Sequence, residues 1–227
     1  GTYTAKDILL TMQACKTDTH NHYSGFVLPA IEPIDFYEIK TKLPLPPYLL
    51  GVLLGDGCLS DNSISITNTD EHIISKCRDI IESLSHNLVT GSNHSYRIVK
   101  PINIRRHRGY PNKIKNIIED LGLFGSHSET KFIPEIYKYS SVQERYELMK
   151  GLMDTDGYVS KTGEIQYTTV SEKLCNDINF IIESLGGYCT IKTSIPTYTH
   201  NGIKKSGKLV YTLNIKLKNS VKIISLP

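Results

Sequence analysis

Two aspartates in this 227-residue chain sit in near-copies of one short segment. Leu49–Gly57 reads LLGVLLGDG and Met149–Gly157 reads MKGLMDTDG, so Asp56 and Asp156 each close an apolar helical run just before a glycine. A carboxylate at a helix C-terminus is poorly placed, because the helix dipole is already negative there. Two such carboxylates brought together repel as well. Divalent cations reverse the sign of that interaction, and Mg2+ prefers carboxylate, carbonyl and water oxygens. The placement therefore predicts a metal-dependent site rather than a stabilising feature. Taken singly, Gly57 and Gly157 read as helix-ending glycines in the left-handed conformation. The repetition is what favours the metal.

Something must bring the two aspartates together. Gly51 and Gly55 lie four residues apart and share one helix face, and Gly151 and Thr155 repeat small residues at that spacing. A glycine inside a helix costs about 1 kcal/mol relative to alanine. Two on one face predict a backbone at very close range, and the other motif helix is the natural partner.

The repetition continues downstream. Ser63–Thr67 and Glu164–Thr168 alternate as strands, and each leads to a helix, capped by Thr69 or Asp70 in one copy and by Ser171 in the other. The stripe Ile73, Ile74, Cys77, Ile80, Ile81, Leu84 has the spacing of Leu174, Cys175, Ile178, Ile181, Ile182, Leu185, and both helices close on Glu-Ser-Leu. Tyr96–Ile104 and Leu209–Leu217 read as further strands, and Asn112–Leu121 as a helix stopped by Gly122. Ser141 with Glu144 forms a capping box ahead of the second motif helix. The expected class is α+β, as two αββαββα repeats. Before them, Thr4 and Asp7 cap a short helix over Ala5–Ala14. His20 and His22 have no third ligand nearby and read as a solvated turn.

Composition excludes little. Hydrophobic residues at 39% and charged residues at 22% are ordinary for a globular protein, and a net charge of +3 does not by itself indicate a polyanionic partner. The five cysteines include no CxxC pair, so neither a disulfide framework nor a zinc ribbon is implied, and an intracellular setting is expected. No apolar run has the length of a membrane span.

The two motifs, with the strands and helices after them, resemble the LAGLIDADG homing endonucleases over residues 44–227. That resemblance implies a monomer with an internal pseudo-two-fold axis. Its two sheets would form a saddle over a long, asymmetric double-stranded DNA site, and both strands would be cut with Mg2+, two or three ions per site. Residues 44–138 and 139–227 would be the two repeats, the second incomplete at its C-terminus. Residues 1–43 resemble the stretch ahead of the endonuclease in inteins, through Asn21-His22-Tyr23, Leu28-Pro29 and Glu32–Phe36. The chain neither begins with Cys or Ser nor ends in His-Asn, so an endonuclease region without self-splicing is expected.

Within that resemblance, Asp56 and Asp156 would hold the metal, with the carbonyls of Gly55 and Thr155 as further ligands. Lys131, in Lys131-Phe132-Ile133-Pro134, matches an active-site lysine of the intein-type enzymes, whose second copy is expected just past Pro227. Asp154 has no counterpart in the first motif, where Leu54 stands, and receives no catalytic role. Outward strand residues would meet DNA. The candidates are Ser63, Ser65, Arg97, Lys100, Arg105, Arg106 and Arg108 in the first repeat, and Gln166, Lys192, Lys208, Lys216 and Lys218 in the second. Lys204-Lys205 with Ser206-Gly207 reads as a loop tip touching the DNA backbone. A non-cleaving nucleic-acid binder of maturase or regulator type, or a decayed intein fragment, are the alternatives. Both acidic positions being occupied favours the enzyme.

Overall fold

The computed structural model describes residues 31–36, 42–60, 63–101, 112–200 and 202–224, with the backbone alone at His200 and Ile203. The chain divides between Ile31 and Glu32, and the architecture below is that of the unit from Glu32 to Pro227. The expected helix over Ala5–Ala14, the His20/His22 turn and the arginines at 105, 106 and 108 lie outside the described residues.

The first half runs α1 (Pro47–Asp56), β1 (Gly57–Cys58), β2 (Ser65–Thr67), α2 (Glu71–Ser83), β3 (Asn87–Thr90), β4 (Ser95–Val99) and α3 (Lys113–Asp120). A short α4 (Glu135–Lys138) leads into α5 (Val142–Asp156), β5 (Gly157–Val159), β6 (Ile165–Thr169), α6 (Glu172–Ser184), β7 (Tyr188–Ser194), β8 (Thr197–His200), β9 (Ile203–Ser206) and β10 (Val210–Lys216), then a 3-10 turn over Ser220–Ile223. The class is α+β. The two four-stranded antiparallel sheets repeat one order, β1-β2-β4-β3 and β5-β6-β10-β7.

Local chemistry accounts for the boundaries. Pro47 opens α1, where its missing N–H costs nothing. At α2 the cap is Asp70, whose carboxylate accepts from the His72 amide. At α6 it is Ser171, which accepts from Leu174, and α5 starts at the Ser141/Glu144 capping box. The α1 helix is buried on all sides, through Tyr48, Leu49, Leu50, Val52, Leu53 and Leu54, because it lies against α5, β1 and β2 at once. Residues that alternate along β2, β4, β6 and β10 send Ile64, Ile66, Tyr96, Ile98, Ile165, Tyr167, Leu213 and Ile215 into one continuous core.

Two features depart from the sequence reading. β8 and β9 form a separate hairpin between β7 and β10, so Lys204 and Lys205 lie on a strand rather than at a loop tip. Their backbone pairs with Thr199 and Tyr198, which the alternation of that short segment did not reveal. The lead-in Glu32–Phe36 is strapped to the second half. Arg145, fully buried, donates from Nε to Ser140 O at 3.0 Å and also to the Ser184 hydroxyl and the Ile34 carbonyl. The Ile34 amide in turn donates to Ser184 O at 2.8 Å, and Phe36 packs on Tyr139 and Phe180.

Candidate active site and nucleic-acid interface

The α1 and α5 helices touch backbone to backbone. A methyl on Gly51 would lie 2.3 Å from Leu148 O and 2.9 Å from Gly151 Cα; one on Gly151 would lie 2.2 Å from Tyr48 O and 3.0 Å from Gly51 Cα. One turn on, a methyl on Gly55 would stand 2.0 Å from Thr155 Oγ1 and 3.3 Å from Asp156 Oδ2. The small residues thus form the helix seam, and the seam carries Asp156 to the end of α1 where Asp56 sits. Gly57 and Gly157 are not left-handed. Both are extended, with φ of −81° and −79°. A side chain at either would strike its own helix, 2.3 Å from Leu53 O or from Met153 O.

Asp56 is half-buried, and its Oδ2 accepts from Asn68 Nδ2 at 2.5 Å. Asn68 is itself fixed, since its Oδ1 accepts from the Asp70 amide at 2.6 Å. Asp156 reaches solvent. Below it the fully buried Tyr167 hydroxyl faces the carboxylate without a well-formed hydrogen bond. Desolvation raises the pKa of both carboxyls. At Asp56 the Asn68 hydrogen bond and the Lys131 charge pull back, whereas at Asp156 the negative charge of Asp56 adds to the rise before Lys131 and Tyr167 oppose it. The charge of Asp56 is thus felt at Asp156, and Lys131 acts on both, so the two acids share one electrostatic site.

Lys131 lies at the same place, but buried. Its Nζ donates to Leu53 O at 3.2 Å, Gly55 O at 3.0 Å and Gly57 O at 2.8 Å. An ammonium has three N–H donors, so all are spent on carbonyls at and just past the end of α1, of which Leu53 O also accepts from the Gly57 amide. The Gly55 carbonyl, expected to face a metal, is occupied by this ammonium. Desolvation lowers the Lys131 pKa, opposed by the charges of Asp156 and then Asp56. Its backbone belongs to the other half, since Lys131 O accepts from Ser171 Oγ at 2.7 Å, and the Ile133 amide donates to the buried Asp177 at 2.8 Å. A cavity of about 300 Å3 opens here, lined by Gly55, Ser128, Lys131, Asp156 and Thr168. Asp154 points elsewhere, buried and accepting from Tyr48 Oη at 2.8 Å.

Of the outward candidates, Ser63 and Ser65 alternate with buried Ile64 and Ile66, and Arg97 stands opposite Ser65 across β2 and β4. Gln166, Lys192 and Lys216 share the outer face of the second sheet. Lys100 follows β4 in the register of buried Ile98 and is half-buried, so it does not share the face of Arg97. Lys208 is ion-paired with Glu129, and Lys218 with Glu32 at 3.3 Å. Sequence reasoning missed Asn68, Tyr167 and Arg145. Only Asn68 carried a signal, by its place between a strand and a helix cap.

The model of a LAGLIDADG-like domain matches residues 144–224. Over 177 residues the chain is 28% identical to the replicative DNA helicase DnaB of Mycobacterium intracellulare, covering 78% of this chain and 24% of that protein. It is 26% identical over 224 residues to the ATP-dependent DNA helicase Hel308 of Thermococcus kodakarensis, covering 94% and 18%, and 26% identical over 179 residues to the RecA protein of Mycobacterium tuberculosis, covering 73% and 22%. The chain therefore spans about a quarter or less of the length of these curated relatives. Among solved structures, the homing endonuclease I-DmoI in complex with DNA and Mn overlaps 81% of this chain and 98% of its own, with a TM-score of 0.46 and 17% identity. The matched LAGLIDADG-like domain lies in the second half of the chain, and the same motif helix and sheet order recur in the first half.

Proposed function

We propose that this protein is a site-specific endonuclease that hydrolyses both strands of double-stranded DNA with Mg2+, acting as a monomer of the intein type. One observation carries the reading: two carboxylates, each costly where it stands, meet at the ends of helices whose glycine seam serves to bring them together. The donor set fits the ion. Among the described residues no three His, Cys, Asp or Glu side chains cluster, so two carboxylates leave most coordination positions to water and substrate oxygens. Mg2+ binds in that manner, through one or two carboxylates plus phosphates. Asp56 and Asp156, with the Thr155 carbonyl, would hold two or three such ions, which would supply Lewis acidity and charge neutralisation to phosphodiester hydrolysis.

The chain's own groups divide the remaining tasks. Asn68 holds the Asp56 carboxylate in one orientation. Lys131 fixes the end of α1 and offsets part of the negative charge there, as a positioning residue. The outer sheet faces, with Arg97, Gln166, Lys192 and Lys216, take the DNA, and the arginines at 105, 106 and 108 add phosphate contacts. We read residues 44–138 and 139–227 as the two repeats and 1–43 as intein-like sequence. In support, the segment recurs as about a fifth to a quarter of a DnaB, a Hel308 and a RecA protein. An element lodged inside intracellular DNA-handling hosts would leave that pattern.

Incubating the protein with a randomised plasmid library and Mg2+ should linearise a sequence-defined subset. Asp56→Asn and Asp156→Asn should each lower cleavage at least a hundredfold while the same DNA is still bound. Undiminished cleavage by either variant would refute the assignment.

A further inference from the structure

The two sheets present one matched rung each. Ile66 pairs with Gly57 and Tyr167 pairs with Gly157, the glycines that follow the two aspartates. The residue before each, Ser65 or Gln166, therefore stands at the same place relative to its own Asp. Across the strands the first rung reads Ser65, Arg97, Val89, and the second Gln166, Asn214, Thr190. Both rungs face outward, because Ile64, Ile66, Tyr96 and Ile98 around the first, and Ile165, Tyr167, Leu213 and Ile215 around the second, are buried.

The two rungs carry different chemistry. In the second, Asn214 Nδ2 donates to Thr190 O at 3.3 Å, and Gln166 Nε2 donates to Asn214 Oδ1 at 2.9 Å. A backbone carbonyl can only accept, so it sets which way Asn214 points. Asn214 then sets which way Gln166 points. Gln166 is left with one N–H and its Oε1, a donor beside an acceptor. Adenine offers the complement in the major groove, an N7 acceptor beside an N6 donor. In the first rung Arg97 is exposed between a serine and a valine, and among the described residues no carboxylate is ion-paired with it. Its fork matches guanine O6 and N7. On the second face, Lys192 and Lys216 line with Asn214 and Glu164 a cavity of about 230 Å3, so two ammonium groups and one carboxylate stand beside the reader.

We propose that this rung is the point where the two half-sites are told apart: Arg97 reads a guanine in one, Gln166 reads an adenine in the other, and Asn214 is the positioning residue that orients Gln166. The proposal rests on the DNA-binding part of the function above and not on cleavage. Its test is selection by binding from a randomised duplex library with divalent ions chelated. The selected sites should carry a specified G·C pair in one half-site and a specified A·T pair in the other. Gln166→Ala should flatten the adenine preference roughly tenfold and leave the guanine. Arg97→Ala should do the reverse, and Asn214→Ala should weaken the adenine preference alone. A merely destabilised protein would lose affinity at all positions alike. An adenine preference untouched by Gln166→Ala, the same base at both positions, or no enrichment at all would overturn the proposal. A protein that selects such sites yet never cuts them in Mg2+ would sink the endonuclease reading and leave this one standing.

Discussion

The ends of the two motif helices look alike in sequence and differ in charge. At the end of α1 a buried ammonium satisfies three carbonyls and an asparagine clamps the carboxylate. At the end of α5, among the described residues, no lysine occupies the matching place. Asp156 is exposed above a tyrosine, and Thr155 Oγ1 turns back on Gly151 O and Leu152 O. The seam itself is symmetric, since each of Gly51 and Gly151 meets the other helix's backbone at nearly equal distance. The comparison separates two demands on the motif. Bringing the helices together uses the same small residue twice, whereas among the described residues a cation and an amide meet the negative charge at the end of α1 alone.

The symmetric part should be the most fragile. Gly151→Ala puts a methyl 2.2 Å from Tyr48 O, and Gly51→Ala puts one 2.3 Å from Leu148 O. A backbone atom cannot step aside as a side chain can, so each change should cost roughly 3 kcal/mol. The two should lower the urea midpoint by similar amounts. Gly55→Ala meets only the Thr155 side chain, and Thr155→Gly should restore part of its loss. An unchanged midpoint for Gly151→Ala would mean that the helices do not meet as described.

Lys131→Met breaks the asymmetric part. It takes a donor from the carbonyls of Leu53, Gly55 and Gly57 where α1 gives way to β1, although Leu53 O keeps the Gly57 amide. The expected loss is about 1–3 kcal/mol, smaller than that of the seam glycines and local to α1. Amide exchange at Asp56 and Gly57 should accelerate, while Asp156 and Gly157 should change little. Equal acceleration at both ends would show that the lysine serves the whole seam.

What the sequence disclosed follows the same division. Repeated spacing fixes the helices, the caps at Asp70, Ser141 and Ser171, and the small-residue faces, because each depends on residues close along the chain. The meeting of Asp56 with Asp156 was legible only because the motif occurs twice. Asn68, Tyr167 and Arg145 were not legible, since their partners are set by strand register or by a strap from Glu32–Phe36, and no local pattern encodes either. Lys131 was found through family resemblance, yet the commitment of all its donors to carbonyls where α1 passes into β1 is a property of the packed helix end. The β8–β9 hairpin was hidden because its strands are exposed on both faces, which removes the alternation that marks a half-buried strand.

The smallest effect bears most directly on the carboxylates. Partial desolvation at the crowded helix ends holds both carboxyls above the ordinary 3.8, the exposed side of Asp156 limiting the penalty there. Below pH 3.8 the folded and unfolded chains are both protonated at these sites, and the aspartates cost nothing. As pH rises through the interval up to the raised folded-state value, the unfolded chain has released protons that the folded one still holds, so stability falls. Above that interval the full penalty remains. Replacing either acid by Asn removes it, so Asp156→Asn should raise Tm by roughly 1–3 °C at neutral pH, with the gain vanishing below pH 3.8. Asp56→Asn should gain less, because the Asn68 hydrogen bond already relieves Asp56. The double variant should gain less than the two singles together, since each single change already removes the repulsion they share. Millimolar Mg2+ should erase the advantage by raising the Tm of the wild type alone. Fully additive gains from the two variants would mean that the aspartates do not sense one another, and the shared site would dissolve into two unrelated helix ends.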